Sequence, residues 1–153
     1  MLVVLAAAAP AAVGGAGAAG QSCSFPFSKT DTTGVSVTIE EGAKSTIGLW
    51  GPKSRLLLQR VTDADVSNAG FPYFRARELY VGDVPALALR VSYVGELGWE
   101  LWTPVEYGRR LWDTLWEAGR DLDVRPMGGG ALESMRLEKG YRLWGTDVDT
   151  DVN

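Results

Sequence analysis

The stretch VSYVGELGWELW, Val91–Trp102, decides how this chain of 153 residues is interpreted. It places one carboxylate, Glu96, between two glycines in otherwise apolar sequence that favours a pair of strands. The residues from Gly95 to Gly98 predict a tight turn between those strands. A carboxylate in apolar surroundings needs ionic or hydrogen-bond partners, because desolvating an unpaired charge is costly. Glu96 is therefore a candidate ligand contact, and the alternative is an ordinary exposed hairpin residue.

The sequence on both sides of this turn predicts an antiparallel meander. Residues 78–94, ELYVGDVPALALRVSYV, predict two strands joined around residues 82–85, and GWELWTP predicts a third. Alternation places the larger apolar residues of the second strand on one face. These residues are Leu87, Leu89, Val91 and Tyr93.

Upstream of the meander, GVSVTIEEG and STIGLW predict two more strands. Pro52 suits the first position of a short helix that runs to about Arg60. Residues 62–77 are rich in Asp, Ser, Asn, Gly and Pro, which predicts an irregular connection.

Two helices are predicted downstream of the meander. One runs from Pro104 to about Ala118, with Leu111 and Leu115 on its inner stripe. The other is ALESMRLEKG, residues 131–140, which ends at a glycine. Strands grouped apart from flanking helices predict an α+β domain rather than a doubly wound α/β sheet.

The second of these helices carries a candidate cation. Its Leu132, Met135 and Leu137 are expected to face the core, and Arg136 is expected on the polar side. The planar guanidinium of Arg136 suits bidentate contacts with a ligand carboxylate or carbonyl. The alternative is a surface pair with Glu133 at spacing i, i+3, which contributes little stability.

Composition excludes several functional classes. The net charge of −4 and the absence of a basic stripe argue against a nucleic-acid partner. The chain has no histidine, and a single cysteine, Cys23, so His-based catalysis and a metal site are not expected. No apolar run has the length and hydrophobicity of a membrane span, so no membrane partner is expected.

The first residues differ from the rest of the chain in composition. Residues 1–34 begin with a run of Ala, Gly and Val and are expected to form a low-complexity, disordered leader, followed by one partial domain at 35–153. A secretory signal is the alternative for the leader. Because the segment begins uncharged and Pro10 and a glycine run interrupt it, secretion is not expected.

Aromatic residues near Glu96 and Arg136 have two possible uses. At strand spacing, Tyr93, Trp99, Trp102, Tyr141 and Trp144 either stack on a flat ligand ring or fill the core. The glycine cluster at residues 128–130 lacks the lysine of a phosphate-binding loop, so nucleotide binding is not expected.

Four segments in order resemble a known family across about residues 46–149. They are GPKSRLLLQRVTDADVSN, FPYFRARE, VPALALRVSYVGELGWELWTPVEYGRRLWDTLWEAG and ALESMRLEKGYRLWGTD. Together they resemble the folate-binding aminomethyltransferase family. This family includes the T-protein of the glycine cleavage system and the folate domains of dimethylglycine and sarcosine dehydrogenases. SYVGELGWEL and RLEKGYRLWG resemble the dehydrogenase branch most closely.

The resemblance implies tetrahydrofolate as the cofactor, with Glu96 on the pterin ring, Arg136 at the same site and Tyr93 lining the pocket. FAD is implied only for an N-terminal part of the dehydrogenase parent that this chain does not contain. The implied partners are a small-molecule folate and other domains or subunits of the parent. The implied location is the cytoplasm or the mitochondrial matrix.

The chain also departs from the family pattern. The family carries an Asp on an earlier segment, and SFPFSKTDTTG does not match that segment; the family also continues into a C-terminal barrel domain. We therefore expect an incomplete folate-binding domain that is inactive alone, with no catalytic residue of its own. Two alternatives remain open: an inactive gene fragment, and a noncatalytic folate-binding module of the kind used in iron-sulfur protein maturation. The module has a K-G-C-Y-x-G-Q-E signature, whereas EKGYRLWGTD has no cysteine.

Overall fold

The computed structural model describes residues 2–7 and 44–150, and these residues form six strands and three α-helices. The strands are β1 (Leu2–Ala7), β2 (Lys44–Trp50), β3 (Ala76–Val81), β4 (Val84–Leu89), β5 (Gly98–Pro104) and β6 (Val124–Pro126). The helices are α1 (Ser54–Val61), α2 (Gly108–Ala118) and α3 (Gly129–Glu138).

The strands form one sheet in the order β3-β4-β5-β2-β1-β6. Four neighbouring pairs are antiparallel, and the remaining pair, β1 with β6, is parallel. The predicted meander is present as β3, β4 and β5. With helices flanking this largely antiparallel sheet, the predicted α+β class is confirmed.

Strand β1 lies inside the segment for which the sequence predicted a disordered leader. It pairs with β2 from Val3 to Ala7 and with β6 from Leu2 to Val4, so for these residues the prediction was wrong. The low-complexity composition was a poor guide, because a strand needs only five or six residues and favours valine. The rest of the leader and the predicted strand GVSVTIEEG lie outside the described residues.

One face of the sheet forms the main core with α1 and α2. The predicted inner stripe of α2 is confirmed, since Leu111 and Leu115 are fully buried there. Strand β5 contributes Trp99, Leu101 and Thr103 to this face. The other core residues are Ile47, Leu49, Leu57, Leu58, Val66, Phe71, Leu79, Val81, Val84, Ala86, Ala88, Leu122 and Val124.

The smaller residues of β4 face the core. Ala86 and Ala88 are buried, whereas Leu87 on the opposite face is 42% exposed. Ala88 pairs with Leu101, whose larger side chain fills the core beside it, so small residues suffice on β4. The strand also ends at Leu89, so the residues after it belong to an irregular loop.

The second face of the sheet is covered at one end only. There Trp50 packs with Val94 and Met127, and Leu132 and Met135 of α3 lie against them. At the other end, Tyr80, Leu87 and Trp102 remain exposed and line an open groove of about 700 Å³.

Two predicted helix starts shift by a few residues. Pro52 precedes α1 instead of opening it, and Ser54 is the first helical residue. Pro104 ends β5, and a 3₁₀ turn at Val105–Tyr107 separates it from α2. Proline suits both positions, because each lies outside the interior of a helix, where a backbone N–H would be needed.

The predicted connection after α1 is irregular, and arginine side chains hold it in place. Arg55 and Arg90 both donate to the Asn68 side-chain oxygen, at 2.7 and 2.6 Å. Each guanidinium carbon also lies 5.7 Å from the centre of the Trp99 ring. These contacts fix Arg90, the residue that follows β4 and begins the loop before β5.

Gly98 allows β5 to approach β2 closely, and replacing it is expected to destabilise the domain. A Cβ there would collide with the Leu49 carbonyl oxygen and the Trp50 backbone, which cannot move aside. We expect Gly98→Ala to lower the free energy of unfolding by about 1–3 kcal/mol, measured by urea denaturation.

The matched control is Gly130→Ala in the first turn of α3, where a Cβ meets no atom within 4 Å. That variant is expected to be unchanged or more stable by about 0.4–1 kcal/mol. Equal stability of Gly98→Ala and the unsubstituted chain would contradict the assigned role of Gly98.

Candidate functional site

The candidate site is built on the irregular loop of residues 90–97 between β4 and β5. The predicted tight turn at Gly95–Gly98 was wrong in extent, because β4 ends earlier than its apolar pattern indicated. Both ends of the loop are anchored to residues that follow or end β2. The Trp50 indole donates to the Val91 carbonyl at 3.1 Å, and the Ser54 hydroxyl donates to the Leu97 carbonyl at 2.9 Å.

Glu96 lies near the end of this loop with its side chain 36% exposed. Its Oε1 atom is 3.7 Å from Nζ of Lys139, and its backbone N–H donates to the Ser92 hydroxyl at 3.1 Å. Gly95 has φ of +71°, and the Lys139 stem lies where a Cβ would be. Glu96 is therefore a half-exposed carboxylate with a lysine partner. Position 95 requires glycine because its φ is positive and because the Lys139 stem leaves no space for a Cβ.

Tyr93 occupies the middle of the same loop. Its hydroxyl donates to the Arg142 carbonyl at 2.9 Å. Its ring stacks on Tyr141, with centroids 6.2 Å apart and planes inclined by 17°. Tyr93 and Glu96 therefore both contact the segment that follows α3, residues 139–147.

Arg136 lies on α3 and is fully buried, which overturns the prediction that it occupies the polar side of the helix. Its Nε donates to Glu133 at 2.9 Å, and Nη2 bonds the other oxygen of that carboxylate. Nη1 donates to the Tyr141 carbonyl at 2.8 Å and to Asp147. Leu137, expected in the core, is 51% exposed instead.

Burial of Arg136 has an electrostatic explanation. A buried guanidinium is tolerated when carboxylates and carbonyls satisfy it, and two carboxylates do so here. Hydrogen bonds to Glu133 and then to Asp147 raise the pKa of Arg136 above its ordinary value. The pair with Glu133 is the alternative considered from the sequence, but it is not a surface pair.

Asp147 closes the 139–147 segment on itself. It accepts the Leu143 N–H at 2.7 Å, and its own N–H donates to the Leu143 carbonyl at 2.8 Å. The Leu143 hydrogen bond and then the Arg136 guanidinium lower the pKa of Asp147. The carboxylate therefore stays ionised and bonded to both groups at neutral pH.

The structure thus brings two of the three predicted site residues onto one surface. Tyr93 and Glu96 share the 90–97 loop and meet the 139–147 segment through Tyr141 and Lys139. Arg136 is buried and does not lie on this surface, but its Nη1 donates to the Tyr141 carbonyl.

Glu100 is a second carboxylate that sequence reasoning did not single out. It lies on β5 opposite Gly48 and Leu89, on the second face of the sheet. Its Oε2 accepts the Trp102 indole N–H at 3.3 Å. Strand alternation in GWELW was the available signal, because it separates Glu100 and Trp102 from the buried Trp99 and Leu101.

Phe74 was also missed and has a strained backbone. Its φ is +60°, which is uncommon for a bulky residue, and its side chain is 76% exposed. Its N–H donates to the Arg90 carbonyl at 3.1 Å, so it lies beside the start of the 90–97 loop. Its ring centre is 4.3 Å from that of Tyr73. Strain at an exposed aromatic residue is a feature of ligand-contacting segments.

Residues 2–7 and 44–150 contain no group of three His, Cys, Asp or Glu side chains placed to hold a metal ion. Among the helices of those same residues, none has the length and apolar character to cross a membrane.

Comparison with known proteins identifies related sequences over most of the chain. The family model of the GCVT N-terminal domain matches residues 8–153. Dimethylglycine dehydrogenase from Rattus norvegicus is 37% identical over 107 residues, which is 70% of this chain and 12% of the relative. 4-Methylaminobutanoate oxidase (formaldehyde-forming) from Paenarthrobacter nicotinovorans is 45% identical over 106 residues, which is 69% of this chain and 13% of the relative.

A solved structure has a similar fold. It is the glycine cleavage system aminomethyltransferase T from Bartonella henselae, which superposes with a TM-score of 0.57 at 28% identity. The match covers 71% of this chain and 28% of that one. The chain therefore spans about an eighth of the two curated relatives and over a quarter of the solved one.

The family match also extends the resemblance in the sequence. It begins at residue 8, whereas the resemblance in the sequence begins at about residue 46. The added part includes SFPFSKTDTTG, so the expectation that this segment departs from the family was wrong. The segment lies outside the described residues.

The ion pair at the base of the site predicts a pH-dependent contribution to stability. Because the pKa of Asp147 is lower in the folded state than its ordinary value of about 3.9, the carboxylate stabilises the fold above about pH 4. This contribution is lost as the pH falls through the folded value. We expect Asp147→Asn to be less stable than the unsubstituted chain at pH 7, with the difference shrinking below about pH 4 in urea titrations.

The control is Asp113→Asn, which removes an exposed pair with Arg109 at 3.7 Å. It is expected to change stability little at any pH. A constant difference between Asp147→Asn and the unsubstituted chain across this range would contradict the linkage.

Proposed function

Since the chain belongs to the folate-binding aminomethyltransferase family through its GCVT N-terminal domain, we propose that it binds tetrahydrofolate for one-carbon transfer. The parent activity is aminomethyl transfer or the demethylating oxidation of dimethylglycine or sarcosine. In such a reaction a folate nitrogen attacks the carbon of a methylene iminium, the bond between that carbon and the amine nitrogen breaks, and the methylene unit stays on the folate while the amine leaves. The contribution of this chain is to bind and orient the folate.

The observation that carries this proposal is the surface shared by Tyr93, Tyr141 and Glu96. A pterin is a flat ring with an N–H edge, and a carboxylate accepts two parallel N–H bonds from such an edge. Stacked tyrosines offer a flat apolar wall beside that carboxylate. The side chain of Glu96 is exposed enough to be reached, and its ion pair with Lys139 is long. These features suit the proposed ligand.

Other parts of the parent enzyme supply the remaining chemistry under this proposal. The relatives are several times longer than the matched region, so further domains or subunits complete the site. Any flavin belongs to those parts and not to this chain. The mitochondrial location in the name of the rat relative supports the mitochondrial matrix, with the cytoplasm as the alternative.

Glu100 is a competing candidate for the carboxylate that binds the pterin N–H edge. It faces the second side of the sheet beside Trp102, next to the open groove. Unlike Glu96, it is held on a regular strand, where a side chain has a more precise position. A functional test therefore has to separate the two carboxylates.

Calorimetric titration with a reduced folate such as 5-formyltetrahydrofolate separates them. We expect the unsubstituted chain to bind, and Glu96→Gln to bind at least about tenfold more weakly, since a charged acceptor is lost. Glu100→Gln is the matched variant and is expected to bind as the unsubstituted chain does.

Equal binding by Glu96→Gln and the unsubstituted chain would remove the role of Glu96. A loss confined to Glu100→Gln would transfer the pterin contact to β5. Absence of binding by the unsubstituted chain, together with a cooperative thermal melt, would count against folate binding by this part of the parent.

A further inference from the structure

Arg136 is a fully buried charge, and its hydrogen bonds join α3 to the 139–147 segment of the candidate site. Its guanidinium joins Glu133 on its own helix to the Tyr141 carbonyl and the Asp147 carboxylate in the segment that follows. Tyr141 in turn stacks on Tyr93 of the 90–97 loop. A continuous chain of contacts therefore connects Arg136 to the proposed folate surface.

We propose that Arg136 is a positioning residue, which fixes the 139–147 segment against the 90–97 loop and does not itself contact the ligand. This inference rests on the proposed function for the identity of the ligand. It replaces the expectation that the guanidinium clamps a ligand group.

The donor count of the guanidinium supports a positioning role. Arginine has five N–H donors, and bidentate recognition uses two parallel donors on one edge. In Arg136 the edge formed by Nε and Nη2 holds both oxygens of Glu133. Nη1 donates twice, to Tyr141 and Asp147. Four of the five donors are used, and the complete side chain is buried, so no edge is offered to a ligand.

The residues that Arg136 holds are those that meet the predicted site. Tyr141 follows Lys139 by two residues, and its N–H donates to the Arg136 carbonyl at 3.0 Å. Asp147 closes the far end of the segment through Leu143. Loss of the guanidinium leaves two carboxylates facing each other without their shared cation, which drives the segment away from α3. The Tyr141 ring and the Lys139 ammonium would then lose their places beside Tyr93 and Glu96.

The role requires arginine rather than lysine. A single ammonium group cannot bond both oxygens of Glu133 and also reach Tyr141 and Asp147, because it lacks the planar fork. Arg136→Lys is therefore expected to resemble Arg136→Gln in the order of the segment, although it preserves the charge.

Backbone amide exchange by NMR, combined with titration of 5-formyltetrahydrofolate, tests the proposal. The variants are Arg136→Gln, Arg136→Lys, Asp147→Asn and the double variant that combines Arg136→Gln with Asp147→Asn. The control is Arg109→Gln, because the Arg109 side chain is 94% exposed. We expect the amides of Tyr141 and residue 147 to exchange at least tenfold faster in all but the control. Amides in α1 and α2 should keep their protection, which shows that the main core remains folded.

Folate affinity is expected to fall at least tenfold in Arg136→Gln and in Asp147→Asn. Because both act through the same segment, the double variant should bind no more weakly than Arg136→Gln alone. A direct ligand contact predicts a different result: weaker folate binding in Arg136→Gln with unchanged exchange, and no loss in Asp147→Asn. That result would overturn the proposal.

Faster exchange in the segment with unchanged folate affinity would also overturn it, since the segment would then not belong to the site. If the unsubstituted chain binds no folate, the proposed function fails separately. The exchange rates then decide alone whether Arg136 fixes the 139–147 segment: faster exchange supports this, and unchanged exchange refutes it.

Discussion

The close approach of β5 to β2 at Gly98 is the constraint on which the rest of the structure depends. Gly98 pairs with Trp50, and the space for a Cβ is taken by the backbone of β2. This register decides which side chains of GWELW face each side of the sheet, because successive residues alternate. Trp99 enters the core, while Glu100 and Trp102 face the opposite side. The glycine that first suggested a ligand turn therefore has a primary role in strand pairing.

Trp50 transmits this constraint to the candidate site. Its ring packs with Val94 of the 90–97 loop and with Met127 before α3, and its indole N–H bonds the Val91 carbonyl. One side chain at the end of β2 therefore contacts both the 90–97 loop and the residues that lead into α3. The Tyr93 and Tyr141 rings and the pair between Glu96 and Lys139 form where this loop meets the 139–147 segment after α3. Arg136 then ties that segment to α3 through the carboxylates of Glu133 and Asp147.

The sequence predicted the parts of the fold that depend on local pattern. The meander, the inner stripe of α2 and the irregular connection after α1 follow from alternation, helical spacing and turn chemistry. Pattern alone does not choose which face of a strand enters the core, as at β4, where Ala86 and Ala88 are buried in preference to Leu87. The prediction failed at β1, because six residues of apolar sequence carry too little periodicity to identify their partner strands. For the site, the family resemblance assigned Glu96, Arg136 and Tyr93 to folate binding, and these roles stay predictions. The burial of Arg136 was beyond prediction, since it depends on Asp147, eleven residues along the chain.

The ion pair between Glu96 and Lys139 bears on how a ligand would bind. At 3.7 Å between a half-exposed carboxylate and a half-exposed ammonium, the pair contributes little stability, so its rearrangement costs little. A ligand N–H edge therefore competes with a weak partner at Glu96, whereas a ligand carbonyl or carboxylate at Arg136 would compete with two carboxylates in a buried network. The cost of breaking the existing ion pairs therefore differs between Glu96 and Arg136. This difference gives the two residues different roles, although the same family resemblance assigned both to the ligand site. An exposed, weakly paired group is available for recognition, and a buried, fully paired group maintains the geometry in which recognition occurs.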